Sequence, residues 1–251
     1  MIKGFSEQVL NNFEKASATY NSKAELQQTV ALHLARECAH LPIPAGFWVD
    51  LGAGTGLLAD ALEDGHPGQK VLRIDGSQGM LARQKPDCAS QQWDLNEGLP
   101  SWPQAPALLA SSFSLHWLKD PPTRLQEWIT ALAPEGWLAL AIPVEGSFHQ
   151  WHQAAATADV HCTALAMPSQ ASLLNAIPAQ SIRKQELLEI TQQTAKVLEL
   201  LKPMRDLGAH TSPQAGLNVG QWRRLEQAWQ RCQETGRAQL TWKIQVLLLK
   251  R

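Results

Sequence analysis

The sequence lacks any apolar run near the ~18 residues that a membrane-spanning helix needs. It also lacks a charged leader followed by an apolar segment at its N-terminus. These absences predict a soluble, cytoplasmic protein that has no membrane partner. Cysteine is scarce and forms no C-x-x-C pair, so reduced structural thiols are expected and no metal site is predicted. The cysteines are Cys38, Cys88, Cys162 and Cys232.

Net charge is also small, at −1, but it is unevenly distributed. Residues 1–145 hold 10 Lys and Arg against 16 Asp and Glu, whereas residues 146–251 hold 12 against 7. The basic second part predicts an anionic partner, although an uneven distribution of solvated charge would give the same numbers. No stretch interleaves several basic and aromatic residues, so no nucleic-acid partner is predicted. A chain near neutrality without a long exposed apolar helix is expected to be a monomer.

A glycine-rich loop follows the first apolar run of the chain. Residues 50–56 have the sequence D-L-G-A-G-T-G, come after Phe47-Trp48-Val49 and precede a helical pattern that begins at Leu57. A strand, a glycine loop and a helix in this order bind nucleotide-like ligands in α/β proteins. The spacing is G-x-G-x-G, whereas a dinucleotide fingerprint is G-x-G-x-x-G, and Leu57 occupies the place of its third glycine. The loop therefore favours S-adenosylmethionine (SAM) over a nicotinamide cofactor.

Strand and helix patterns alternate through the first part of the chain. Apolar residues at helical spacing predict a helix over 22–41. Strands are predicted at 47–51, 70–75, 89–93, 105–111 and 137–144, with helices at 57–63, 77–84 and 122–132. This alternation predicts a parallel, doubly wound α/β sheet. After Val144 the alternation ends, and the sequence predicts inserted helices within 147–180, helices at 193–206 and 219–234, and a last strand at 239–249.

Acidic residues stand at the strand ends where a SAM site needs them. The loop glycines are expected to let the backbone approach the methionine part of the ligand. Asp50 is expected to order that loop or to accept from the ligand's ammonium group through water. Asp75 ends the second predicted strand, 19 residues after Gly56, which is the spacing of an acid that accepts from ribose hydroxyls. Asp94 and Leu95 follow the third strand, where the adenine amine needs an acceptor.

Segments outside the glycine loop resemble those of one enzyme family. The segment at 13–20, F-E-K-A-S-A-T-Y, resembles F-x-x-A-A-x-x-Y, and Leu26-Gln27 follows at the family's distance. The segment at 111–117, S-S-F-S-L-H-W, resembles S-N-x-x-x-Q-W. Further matches are Gly146-Ser147 with His152-Gln153-Ala154, Arg205 with Leu207-Gly208-Ala209, and Leu240-Thr241. The family is that of the biotin-pathway malonyl-acyl-carrier-protein O-methyltransferases; Ser112, His116 and Trp242 replace its Asn, Gln and Tyr.

The resemblance implies a fold and a reaction. The implied fold is the class I SAM-dependent methyltransferase fold, a Rossmann-like sheet of seven strands with an antiparallel last strand and a helical insertion after the fifth. A single domain over 1–251 is expected, in which 1–42 cover the cofactor, 46–145 form the SAM-binding core, about 147–182 form a lid on the substrate side, and 183–251 complete the sheet. The implied reaction is methyl transfer from SAM to the free carboxylate of a malonyl thioester on acyl-carrier protein. The second product is S-adenosylhomocysteine, and the ester primes pimeloyl and biotin synthesis.

Motif and resemblance together give the expected site residues. The expected cofactor-binding residues are Tyr20, Asp50, Gly52, Ala53, Gly54, Gly56, Asp75, Gly76, Met80, Asp94, Leu95 and Ser111. A malonyl carboxylate is ionised at neutral pH and is itself the nucleophile, so no general base is expected. The positioning candidates are Tyr20, His116 and Arg205, and the expected substrate-binding residues are Trp117, Arg183, Lys202 and Arg205. The basic residues either hold the carboxylate or dock the acidic carrier protein.

Three other functions remain open at this point. An O-methyltransferase for small dicarboxylates, of the trans-aconitate type, shares the segment after the fourth strand and needs no protein-docking surface. A methyltransferase that acts on carbon, as for quinones, would need a base near an acidic carbon. A SAM-binding protein without turnover needs the same loop and acids, so only a transfer assay separates it from an enzyme.

Overall fold

A mixed seven-stranded sheet runs through the computed structural model, which describes residues 4–212 and 214–251. Its strands are β1 (Trp48–Leu51), β2 (Val71–Asp75), β3 (Ser90–Gln92), β4 (Leu108–Ser112), β5 (Trp137–Pro143), β6 (Ile182–Thr194) and β7 (Ala238–Lys250). In space they follow the order β3-β2-β1-β4-β5-β7-β6, and β7 is antiparallel to both of its neighbours. This arrangement confirms the predicted Rossmann-like sheet of seven strands with an antiparallel last strand.

Helices cover both faces of the sheet. They are α1 (Phe5–Ala16), α2 (Glu25–Cys38), α3 (Leu57–Gly65), α4 (Gln78–Leu81), α5 (Pro121–Ala131), α6 (His149–Thr157), α7 (Gln170–Asn175), α8 (Val197–Asp206) and α9 (Val219–Ala228). One apolar core lies between the sheet and α2, α3, α6, α8 and α9, and a second lies beneath α5 and α7. β5 is buried along its whole length, because a central strand is covered on both faces. None of the helices in the two described ranges is long and apolar enough to cross a bilayer.

The glycine loop lies where the sheet reverses its strand order. β1 pairs with β2 on one side and with β4 on the other, so the chain leaves β1 at the switch point of the fold. Open α/β sheets bind their ligands outside the carboxyl ends of the strands at such a point. The segments that follow β1, β2 and β4 therefore surround one crevice.

The sequence pattern does not locate β6, although it predicts that 183–251 complete the sheet. Residues along β6 alternate between half-buried and exposed, as in an edge strand with one covered face. Its half-buried face holds Lys184, Glu186 and Gln192 beside Leu188 and Ile190, so the two-residue apolar period is weak. The helix predicted from 193 begins only at α8 for this reason.

Two other predicted helices are shorter in the structure. α4 is a single turn whose start is capped, because Ser77 Oγ accepts the Met80 N–H at 3.1 Å, and the helix ends at Leu81 rather than at 84. The helix predicted at 219–234 ends at Ala228, because Trp229 is extended and Arg231 forms a bridge with Ala238. In the insertion after β5, α6 and α7 are separated by non-helical residues.

A buried arginine ties β2 to α3 beside the glycine loop. Arg73 is fully buried, and its Nη2 lies 2.7 Å from Asp60 Oδ1 and 2.8 Å from Glu63 Oε2. The other oxygen of Glu63 accepts the Val71 N–H at 3.0 Å. A Cβ atom at Gly56 would lie 2.7 Å from Arg73 Nη1, so the guanidinium fills the space next to the loop.

Replacing Arg73 with Met should destabilise the protein strongly, because the two carboxylates lose their buried cation. Breaking one side of a buried ion pair costs about 3–5 kcal/mol. For a chain of this size that corresponds to a fall in Tm of roughly 6–20 °C. Thermal unfolding followed by circular dichroism measures the shift. Arg83→Met, at an exposed arginine, is the matched control and should change Tm by less than about 2 °C; equal Tm values for both variants would contradict the expected role.

Candidate functional site

A cavity, here called the loop cavity, lies outside the carboxyl ends of β1, β2 and β4. Its walls come from the glycine loop, the residues that follow β2 and β3, the end of β4, and helix α1. Ten of the twelve predicted cofactor-binding residues line it: Tyr20, Asp50, Gly52, Ala53, Gly54, Asp75, Gly76, Met80, Asp94 and Leu95. The two that do not are Gly56 and Ser111.

Asp75 connects the glycine loop to the start of α4. Its Oδ2 accepts the Gly54 N–H and its Oδ1 accepts the Ser77 N–H, each at 2.8 Å. Burial raises the pKa of the Asp75 carboxyl, against the lowering effect of these two N–H groups. A carboxylate has about four acceptor sites, so both oxygens can still accept from ligand hydroxyls.

Asp50 fixes the loop from the other side. Its Oδ2 accepts the Ala59 N–H in α3 at 3.1 Å. Asp50 therefore orders the connection between the loop and the helix, which is one of the two roles predicted for it. Burial raises the pKa of the Asp50 carboxyl to about 7, although the charge of Arg73 and the Ala59 N–H oppose that rise. Asp50 is 1% exposed and contributes to the wall of the loop cavity.

The loop glycines are needed for reasons that differ from the prediction. A Cβ at Gly52, where φ is +73°, would lie 1.9 Å from Ser114 Oγ. Gly56, with φ of +92°, meets Arg73 in the same way. A side chain at either of these two glycines would therefore collide with protein atoms. A Cβ at Gly54 would meet no atom within 4 Å, so only this glycine opens onto free space in the cavity.

The β4 end corrects one predicted residue. Ser111 is fully buried and donates its hydroxyl to Leu51 O at 2.8 Å, which joins β4 to β1. Because neighbouring residues of a strand face opposite sides, Ser112 lines the cavity instead. Its Oγ is buried and has no hydrogen-bond partner among the described residues. Strand alternation would have identified it, had the end of the strand been known to within one residue.

Asp94 combines a structural role with a place in the cavity wall. Its Oδ1 accepts from the backbone and side-chain nitrogens of Asn96, both at 2.9 Å, so it caps the short helical turn that begins at Leu95. Asp94 and Leu95 both face the loop cavity. The carboxylates that follow the second and third strands, Asp75 and Asp94, therefore line the same cavity.

Helix α1 forms the outer wall of the loop cavity. The sequence predicts that residues 1–42 cover the cofactor but does not say which part of this segment does so. Glu14 Oε2 accepts from Ser77 Oγ at 2.6 Å and from Gly79 N at 2.8 Å. These hydrogen bonds lower the pKa of the Glu14 carboxyl. A Cβ at Gly76 would lie 2.5 Å from Leu10 Cδ2, so the helix packs directly against the segment that follows β2.

A second cavity of about 460 Å³, here called the outer cavity, adjoins the first. Most of its lining is apolar and comes from α6, α8, α9 and the segments between them. Its aromatic members are Phe113, Trp117, Phe148, Trp151, Trp222 and Trp242. Five residues line both cavities, and we call them the junction: Phe13, Tyr20, Gln27, Phe113 and Trp117.

The titratable predicted residues near the junction are held in their neutral forms. His116 is 9% exposed, lines the outer cavity, and has a buried Nδ1 without a partner among the described residues. Burial lowers the pKa of the His116 imidazole to about 3. Burial and the charge of Asp75 raise the pKa of the Tyr20 hydroxyl above its usual value. At neutral pH both side chains are therefore uncharged.

The three basic candidates separate in space. Lys202 and Arg205 are exposed on α8 and line the outer cavity. Arg183 lies apart from these two, because this exposed residue is near the start of β6 and lines neither cavity. Ile182 pairs with Leu249, which pairs with Leu138 near the start of β5. Arg183 therefore lies at the amino ends of the parallel strands, whereas both cavities lie at their carboxyl ends. The charge count over 146–251 groups Arg183 with Lys202 and Arg205 because the sequence pattern does not locate β6.

A histidine and two carboxylates meet away from both cavities, but a lysine already neutralises them. His33 Nε2 lies 3.1 Å from Glu186 Oε2, and Glu37 stands one helical turn further along α2. Lys184 Nζ lies 2.7 Å from Glu37 Oε2 and 3.3 Å from Glu186 Oε2. The cluster is an ion-pair network that joins α2 to β6.

The glycine loop and the strands around it are similar in sequence to a known protein family. Residues 49–140 match the family model described as "Methyltransferase domain". Among solved structures, the YcgJ protein of Bacillus subtilis has a TM-score of 0.60 at 13% identity and covers 89% of this chain and 98% of its own. A SAM-dependent methyltransferase of Thermotoga maritima has a TM-score of 0.52 at 16% identity, with 95% and 99% covered. The chain has the class I SAM-dependent methyltransferase fold.

Two curated relatives match parts of the chain. The malonyl-[acyl-carrier protein] O-methyltransferase of Dechloromonas aromatica is 33% identical over 162 residues, which are 64% of this chain and 60% of that protein. The trans-aconitate 2-methyltransferase of Yersinia pseudotuberculosis is 35% identical over 109 residues, which are 42% of each chain. The chain thus spans less than two thirds of the length of either relative.

The fold implies SAM as the cofactor, and the loop cavity suits that ligand. Carboxylates from two successive strand ends, Asp75 and Asp94, offer acceptors for hydroxyl and amine groups. The space over Gly54 is open, and the buried Ser112 hydroxyl has no protein partner among the described residues. Met80 and Leu95 add apolar surface on which a flat ring system can lie.

Replacing Asp75 with Asn should weaken the binding of SAM and S-adenosylhomocysteine by about 10- to 100-fold. The amide has one acceptor oxygen where the carboxylate has two, and a hydrogen bond to a charged group contributes roughly 1.5–3 kcal/mol. Isothermal titration with S-adenosylhomocysteine measures the affinity. Asp64→Asn, at a carboxylate whose side chain is 79% exposed, is the control and should bind like the unaltered protein. Equal affinity of D75N and the unaltered protein would remove Asp75 from the cofactor site.

Proposed function

We propose that the protein transfers a methyl group from SAM to the free carboxylate of a malonyl thioester on acyl-carrier protein. The observation that carries this proposal is the chemistry of the junction. Of its five residues, three are Phe or Trp, Gln27 does not ionise, and Tyr20 holds its proton at neutral pH. Such a site suits an acceptor that is already ionised, as a carboxylate is, and not one that must first lose a proton to a base.

The residues of the chain have two tasks in this reaction. When bound, SAM supplies an electrophilic methyl group on a sulfonium sulfur. Asp75, Asp94 and the backbone of the glycine loop would hold the cofactor in the loop cavity. The aromatic walls of the junction would exclude water and hold the acceptor carboxylate beside the cofactor.

The position of the cations agrees with this mechanism. The carboxylate loses its charge as the ester forms, so a cation held against it would stabilise the reactants more than the transition state. Lys202 and Arg205 line the outer cavity from the exposed side of α8 and are not junction residues. In this proposal they would meet an acidic carrier protein at the surface, where charge complementarity raises the rate of encounter.

The outer cavity favours a carrier-bound substrate over a small polar acid. A volume of about 460 Å³ with a largely aromatic and aliphatic lining exceeds what a malonyl group fills. The thioester arm of a carrier protein would use the remaining apolar surface. A small, highly charged acid such as trans-aconitate would leave that surface unfilled, although the relative from Yersinia keeps this substrate as the second candidate.

Mass spectrometry of carrier protein tests the proposal. The protein is incubated with SAM and with carrier protein that bears malonyl, succinyl or acetyl groups, and with trans-aconitate in a parallel reaction. A gain of one CH₂ unit on malonyl carrier protein, without a gain on the acetyl form, is expected. Methylation of trans-aconitate alone would establish the second candidate. Binding of SAM without transfer to any acceptor would indicate a protein without turnover.

His116 should not act as a titrating group in this reaction. Because its pKa is about 3, it is neutral throughout pH 5.5–8 and its charge does not change there. The ratio of kcat between the unaltered protein and His116→Gln is therefore expected to stay constant over this range, whatever its value. Using the ratio cancels the ionisation of Asp50, which both proteins share. A ratio that falls about tenfold per pH unit on acidification would show that His116 acts as a base.

A further inference from the structure

We infer that Gln27 holds the acceptor carboxylate at the junction, through the neutral N–H donors of its side-chain amide. This inference rests on the proposed function, since it assigns the residue that recognises the free carboxylate. Gln27 belongs to none of the cofactor-binding, positioning or substrate-binding sets predicted from the sequence.

The side chain of Gln27 is buried but has no protein partner. It is 9% exposed and lines both cavities. Its Oε1 is fully buried and has no hydrogen-bond partner in the described part of the chain. A buried polar atom without a partner costs roughly 1–3 kcal/mol. The oxygen and nitrogen of an amide exchange places when the group rotates by 180°, so this position can hold an N–H donor, and a carboxylate that accepts from it would recover that energy.

The position of Gln27 on α2 directs it toward the ligands. Its helix neighbours Leu26, Val30 and Leu34 are buried in the core, and Ala31, one turn further along, lines the loop cavity. Side chains of a helix lean toward its N-terminus, so the Gln27 amide extends back along α2 from the position of its own backbone.

Neutral donors suit this acceptor better than a cation does. The amide –NH₂ of Gln27 offers two N–H donors, the hydroxyl of Tyr20 across the junction offers a third, and a carboxylate accepts about four. After methyl transfer the ester carbonyl can still accept one of them. Neutral donors bind the ester as well as the carboxylate, so the loss of the negative charge leaves no cation at the junction without a partner.

Gln27 also borders the loop cavity, so the experiment must separate the acceptor from the cofactor. The variants are Gln27→Leu, which removes the donors, and Gln27→Glu, which replaces them with a negative charge. Gln28→Glu, at the exposed neighbour on the same helix, is the matched control. Isothermal titration measures S-adenosylhomocysteine affinity first, and then the affinity of the loaded proteins for malonyl and for acetyl carrier protein. Circular dichroism checks that each variant is folded.

The expected result is a selective loss. Both Gln27 variants should bind S-adenosylhomocysteine within about twofold of the unaltered protein, and Q28E should match it in every measurement. The preference for malonyl over acetyl carrier protein should fall by about tenfold or more in Q27L, and further in Q27E, because two donors are lost and then a like charge is added. Affinity for acetyl carrier protein should be unchanged.

Three outcomes would overturn the inference, each in a recognisable way. An unchanged malonyl preference in folded Q27L and Q27E would exclude Gln27 as the carboxylate's partner. Weaker binding of S-adenosylhomocysteine in both variants would assign the amide to the cofactor. If the unaltered protein binds S-adenosylhomocysteine but neither binds nor methylates malonyl carrier protein, the proposed function fails and the inference fails with it.

Discussion

One carboxylate sets the geometry of the ligand-binding edge of the sheet. Asp75 accepts an N–H from the glycine loop after β1 and another from the residue before α4, so two strand-to-helix connections share one anchor. Glu14 in helix α1 adds a third connection, because it also accepts a hydrogen bond from Ser77 and another from Gly79. The loop, the start of α4 and the covering helix therefore keep their relative positions through acidic groups that are all hydrogen-bonded to backbone or hydroxyl donors.

Residues whose positions are encoded locally are the ones that the structure brings together. A glycine loop and an acid at the end of the next strand have a fixed spacing, and in the structure Asp75 accepts the Gly54 N–H. Features that depend on distant pairing are harder to predict. Charge alone groups Arg183 with Lys202, because the weak apolar period of β6 hides the strand that carries Arg183 to the other end of the sheet. Ser111 was chosen over Ser112 because one residue of strand register decides which side chain faces the cavity.

The two cavities divide the chemistry between them. Carboxylates concentrate in the loop cavity, where Asp50, Asp75 and Asp94 meet. Among the described residues, the Lys and Arg side chains that line the outer cavity are Lys202 and Arg205, and both are exposed. Between these regions stands a junction whose side chains carry no charge at neutral pH. When an anion reacts with a sulfonium, both charges disappear. Uncharged side chains at the point of reaction suit such a transfer because they do not stabilise the charged reactants over the transition state.

The aromatic composition of the outer cavity has an optical consequence. Four of the ten tryptophans, Trp117, Trp151, Trp222 and Trp242, line this one space, and the chain has a single tyrosine. Indole emission responds to the polarity around the ring, so the intrinsic fluorescence of the protein is weighted toward the place where an acceptor would enter. Displacement of solvent from this cavity is therefore reported by the molecule's own chromophores, without a label and without turnover.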